Sequence, residues 1–114
     1  MKASLKSQRH NKNRIGVSFV IGQGPSTAKQ IIDSAILAEK IGFNVAFMPE
    51  HYYDRDAPSI LGAITQSTSR IMIGTGIINP YSRFPSLIAM TVATLNELTA
   101  GRVILGLGSG SVMD

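Results

Sequence analysis

The residues best suited to chemistry lie in two short stretches. "PEHYYDRD" (Pro49 to Asp56) and "INPYSRF" (Ile78 to Phe84) hold Glu50, His51, Tyr52, Tyr53, Arg55, Asn79, Tyr81 and Arg83. All three tyrosines of the chain are here, with one of its two histidines. Imidazole exchanges protons near neutral pH, so His51 can donate or accept one. Glu50 beside it suits acid–base work, or simple pairing with a neighbouring cation. Arg83 reads equally as a solvated loop cation and as a clamp for phosphate or carboxylate. Glu50, Asp54 and Asp56 resemble a divalent-metal cluster only in composition, and no metal is expected. The chain has no cysteine, which excludes disulfides and thiolate metal sites.

Groups so placed need rigid elements behind them, and the sequence supplies a repeating unit. "IGVSFVI" (Ile15 to Ile21), "NVAFMP" (Asn44 to Pro49), "RIMIGTGI" (Arg70 to Ile77) and "RVILGLG" (Arg102 to Gly108) are short apolar runs. Each is β-rich and too brief for a helix. Helical patterns fill the gaps. In the first, Ala28, Ile31, Ile32, Ala35 and Ile36 mark one buried face; Thr27 with Gln30 forms a capping box and Gly42 a stop. The second is "APSILGAITQSTS", starting at Asp56 or Ala57. The third runs from Pro85 to Gly101, with Ile88, Thr91, Val92, Leu95 and Leu98 as its inner stripe.

The order βαβαβαβ implies parallel strands joined by right-handed crossovers. Two α/β architectures fit: a doubly wound open sheet, or the first half of a TIM (β/α)8 barrel, which needs roughly 250 residues. The sequence of 114 residues ends where another helix is due, and reads as a fragment of something larger. In either architecture the loops after the strands emerge at one end, where ligand sites form. "GQGPS" (Gly22 to Ser26), the two stretches above and "GSGS" (Gly108 to Ser111) therefore share a rim. "GLGSG" lacks the spacing, following helix and distant acid of a dinucleotide fingerprint.

The net charge of +4 is a local matter. Lys2, Lys6, Arg9, Lys12 and Arg14 crowd residues 1–14, which contain no acid; six bases and seven acids follow. Residues 1–14 read as a disordered polar tail and 15–114 as the folded unit. No apolar run approaches the roughly 20 residues of a membrane span, and neither aromatics nor arginine runs in the tail favour nucleic acid.

"AEKIGFNVAFMPEHYY" and "TSRIMIGTGIINPYSRFPSLIAMTVATLNELTAGRVILGLGSG" resemble the N-terminal half of luciferase-like flavin oxidoreductases. The similarity is nearest the branch that contains 5,10-methylenetetrahydromethanopterin reductase and other deazaflavin-dependent enzymes. It implies a TIM barrel with coenzyme F-420 or FMN in its mouth, a cytoplasmic homodimer, and hydride transfer to or from a small organic substrate. It also implies a bulge at the end of the third strand with a cis peptide, here Gly76–Ile77, set against the ring. Asn79, Tyr81, Arg83, Gly108 and Ser109 would complete the cofactor pocket, with His51 and Glu50 as catalytic groups. Where the reductase pattern has two further acids, this sequence has Ser18 and Ser111. A half-barrel that self-associates without turnover is the alternative expectation.

Overall fold

The structure, a computed structural model, describes residues 16–22, 24–51 and 54–110. The basic tail falls outside these residues, as do Tyr52, Tyr53 and Ser111. Strands β1 (Ser18–Val20), β2 (Val45–Met48), β3 (Met72–Thr75) and β4 (Val103–Ile104) alternate with helices α1 (Ala28–Ile41), α2 (Ala57–Ser67) and α3 (Pro85–Thr99). The strands form one parallel sheet in the order β1-β2-β3-β4. That order removes the doubly wound sheet, whose strand sequence reverses at a switch point.

The helices begin and end where side chains satisfy their free backbone groups. Thr27 and Gln30 cap α1 reciprocally, and Gly42 closes it in the left-handed conformation. Asp56 accepts from the Ser59 N–H to cap α2, with Pro58 in the first turn. Pro85 opens α3, and Ala100 takes the left-handed position at its end.

One core joins the helices to one face of the sheet. Ile31, Ala35 and Ala38 from α1, Ile60, Leu61 and Ile64 from α2, and Leu95 from α3 meet Ala46, Met48 and Ile73. Strand alternation puts Val20, Val45, Phe47 and Met72 on the opposite face, where they are half-buried or exposed. Helices on one face only, over a sheet in sequential order, make a segment of barrel wall. The inner stripe predicted for α3 is off by one position: Leu98 is 46% exposed, and Thr99 is buried in its place. Its hydroxyl donates to the Leu95 carbonyl and accepts from the Arg102 N–H, so burial leaves it satisfied.

The strands are shorter than the apolar runs. Ladder pairing of β3 with β4 stops after Gly74↔Ile104 and resumes as a single bridge at Ile78↔Leu107. Four residues on one side thus oppose three on the other, a bulge of one extra residue on the β3 side.

Candidate active site

The loops after β2, β3 and β4 enclose an open cavity of about 510 Å³ at the carboxyl ends of the strands. Glu50, His51, Gly76, Ile77, Asn79, Arg83 and Ser109 line it, joined by Asp54, Arg55, Asp56, Ser82, Leu87 and Gly110. The size lies within the range of small-molecule sites. Among the described residues, the loop after β1 contributes nothing to the lining.

A charge network holds one side. Arg83 donates through Nε to Glu50 Oε1 at 2.8 Å and through a terminal nitrogen to Oε2 at 2.6 Å. The same terminal nitrogen reaches Asp56 Oδ1. Glu50 Oε2 also accepts the Ala57 N–H at the start of α2, at 3.0 Å. Glu50 thereby ties the β2 exit to a helix N-terminus, where a carboxylate meets unpaired N–H groups and the positive end of the dipole. Bidentate bonding to Glu50, reinforced by Asp56, holds the guanidinium of Arg83 above its ordinary pKa against the opposing effect of burial. The Ser59 hydroxyl, followed by Arg83, holds Asp56 below the usual carboxylate value. Arg55 pairs with Asp54 at 3.0 Å. Both arginines of the lining are thus engaged by carboxylates, and the three acids are divided between them.

The other side is backbone. The Gly76–Ile77 peptide is cis, the geometry expected at that bond. A Cβ on Gly74 would lie 2.8 Å from the Phe47 ring and 2.9 Å from the Ile104 carbonyl oxygen. On Gly76 it would lie 3.1 Å from Phe47 Cβ. The two glycines that interrupt this apolar run therefore make a flat seat for Phe47. Across the bulge, a Cβ on Gly106 would stand 2.2 Å from the Thr75 carbonyl oxygen, so only glycine fits. Ile77 occupies the space beside Gly108, with its Cδ1 only 2.9 Å from where a Cβ would be. Asn79 bridges outward: its amide donates to the Ser109 carbonyl at 3.0 Å, and its Oδ1 accepts the Tyr81 N–H at 2.8 Å.

Of the residues expected at the site, seven converge on the cavity: Glu50, His51, Gly76, Ile77, Asn79, Arg83 and Ser109. Tyr81 and Gly108 stand outside the lining. The Tyr81 side chain is 88% exposed, turned out by the tight turn that Asn79 and Ser82 close. Gly108 lies against the Ile77 side chain. Ser18 is exposed on β1, away from the lining. Sequence reasoning missed Thr75, whose hydroxyl both donates to the Gly106 carbonyl and accepts the Gly106 N–H, each at 2.9 Å. The one sequence signal was a buried β-branched hydroxyl between two glycines.

Comparisons with known proteins agree with this fold. The luciferase-like monooxygenase family profile matches residues 12–113. A 5,10-methylenetetrahydromethanopterin reductase from Methanolobus tindarius is 42% identical over 96 residues, covering 83% of this chain and 28% of the relative. A solved F420-dependent secondary alcohol dehydrogenase, bound to an F420–acetone adduct, superposes with a TM-score of 0.78 at 29% identity, over 87% of this chain and 33% of that one. An FMN-bound type II Baeyer–Villiger monooxygenase from Pseudomonas putida, 19% identical, shares the fold at a TM-score of 0.72, over 85% of this chain and 30% of its own. The chain thus spans about a third or less of the length of these relatives. With a profile match over nearly the whole sequence and a barrel-wall fold, the chain belongs to the luciferase-like monooxygenase family.

Proposed function

We propose that this chain forms one wall of the ring-binding site of a deazaflavin- or flavin-dependent oxidoreductase acting on a small organic substrate. The observation that carries the reading is the cavity itself, which the backbone of Gly76 and Ile77 lines together with His51 and Asn79. When bound, coenzyme F-420 or FMN supplies the hydride chemistry. The chain's residues supply position. Gly76 and Ile77 both line the cavity, where Ile77 gives an apolar surface for a planar ring. His51 is exposed at the cavity edge, where an imidazole can move a proton beside the reacting atoms. Glu50, bonded by Arg83 and the Ala57 N–H, acts by holding the His51 segment in place.

The test is spectral titration of the protein with F-420 and FMN, each in both redox states, alongside turnover. Perturbation of one ring spectrum together with hydride transfer supports the reading. Failure of both cofactors to bind overturns it. The same reading carries a cytoplasmic homodimer; among the described residues no helix is long and apolar enough to cross a membrane.

A second reading rests on different surfaces. β1 and β4 each have one strand neighbour, and Val20, Leu105 and Leu107 are 45%, 39% and 51% exposed. Unpaired edges and apolar faces favour self-association without catalysis. Sedimentation of the 114-residue chain showing an oligomer that binds no ring would favour this alternative.

A further inference from the structure

The bulge that shapes the cavity is fastened by a side chain, and we propose that Thr75 is a positioning residue for the cofactor ring. Its hydroxyl replaces the ladder pairing that the bulge removes and so fixes Ile77 as a wall. The proposal rests on the function proposed above and adds a determinant to it.

Where β3 gains its extra residue, regular pairing with β4 fails between Gly74↔Ile104 and Ile78↔Leu107. Buried main-chain groups in such a gap need partners. Thr75 is 3% exposed, and Oγ1 serves Gly106 twice, accepting its N–H and donating to its carbonyl, both at 2.9 Å. A hydroxyl is a donor and an acceptor at once, so it can reproduce the two-way exchange of a strand pair. The Gly106 carbonyl also accepts the Ile78 N–H at 3.0 Å, and the Gly108 N–H returns to the Ile78 carbonyl at 3.2 Å. The residues between these fastenings are Gly76 and Ile77, both in the cavity wall. With the hydroxyl gone, the Gly106 N–H loses its partner at the point where β4 must stay close to the Thr75 carbonyl.

Thr75→Val keeps the shape and removes the hydroxyl; Thr75→Ser keeps the hydroxyl and removes the methyl. Hydrogen exchange of the Gly106 and Ile78 amides reads the bulge without any cofactor. Ring titration of the loaded protein reads its consequence. Loss of a part-buried bond predicts about tenfold less protection at Gly106 and about tenfold weaker ring binding in Thr75→Val. Thr75→Ser should stay within about threefold of the parent in both. Parental ring affinity in Thr75→Val overturns the proposal. So does a Thr75→Ser variant as impaired as Thr75→Val, because packing of the methyl would then be the cause. Should Thr75→Val not fold, Thr75→Ser decides alone: parental protection and affinity support the hydroxyl, and their loss overturns it. Were the parent to bind neither ring, the functional reading would fall, while the exchange contrast would still report on the bulge.

Discussion

The two ends of the sheet use arginine in different ways. At the floor, where the chain enters its strands, charges bond to main chain. Glu39 Oε2 accepts the N–H groups of Ser69, Arg70 and Ile71 at 3.0, 2.7 and 2.9 Å, just before β3. Arg102, just before β4, donates to the carbonyls of Thr65, Thr68, Ile71 and Thr99 and to the Thr68 hydroxyl. It thus satisfies carbonyls that the end of α2 leaves without helical partners. Asn44 does the same for the Val17 N–H ahead of β1. At the rim, Arg83 bonds to Glu50 and Asp56, and Arg55 to Asp54. Main-chain partners have no other conformation available without unfolding. The rim arginines are held by carboxylates, whose side chains are free to turn in a way that main chain is not.

The sharpest way to break this contrast is at His51. Removing a general acid–base group costs about 10² to 10⁴ in rate. On the acid–base role proposed for it, His51→Asn should reduce turnover of the loaded protein by that factor while leaving the melting temperature unchanged, because the side chain is exposed. A stability loss comparable with that at the floor would make His51 structural.

At the floor the order reverses. Arg102→Met should destabilise the chain by about 2–4 kcal/mol, since each buried carbonyl left unpaired costs on the order of 1–3 kcal/mol. Denaturant midpoints would measure it. Arg102→Lys should recover only part, because an ammonium cannot span partners on α2, on α3 and in the segment before β3 as a planar fork does.

Arg83→Met, the rim counterpart, should cost less, about 1–2 kcal/mol. The pair is partly solvated, with side chains 24% and 15% exposed, and Glu50 retains the Ala57 N–H. Adding Glu50→Gln should restore part of the loss, because the unpaired carboxylate is then gone. A double variant that costs the sum of the two single changes would mean that the two residues act separately.

This difference in partners also explains what the sequence made legible. Helix ends were readable because their signals are local: Thr27 with Gln30, Gly42, Asp56 and Pro58 each act within four residues. The convergence of His51, Asn79 and Arg83 followed from topology, since parallel strands send their following loops to one end. The bulge and its cis bond came from resemblance to a family. Glu39, Arg102 and Thr75 were not visible, because their partners lie about thirty residues away and register sets them. The pairing of Arg83 with Glu50 spans a similar separation, and composition left it open between a clamp and a solvated cation.

The smallest effect concerns acid. Burial raises the pKa of Glu39, but the N–H groups of Ile71, Arg70 and Ser69, with the Arg70 charge, outweigh it and leave it below the ordinary 4.5. Asp56 is likewise held below its ordinary 3.8 by Ser59 and Arg83. A carboxylate with a lowered folded pKa releases its proton more readily when folded, so its contribution is complete above the ordinary value. It is lost as pH falls through the folded value. Unfolding curves between pH 7 and pH 2 should therefore show an acid limb to which both residues contribute. Glu39→Gln should flatten it, because the charge that holds the Ser69, Arg70 and Ile71 N–H groups is then gone. Asp56→Asn should flatten it by less, because its side chain is 51% exposed and water screens the Arg83 pair. An acid limb that follows Asp56 and ignores Glu39 would invert the roles of floor and rim.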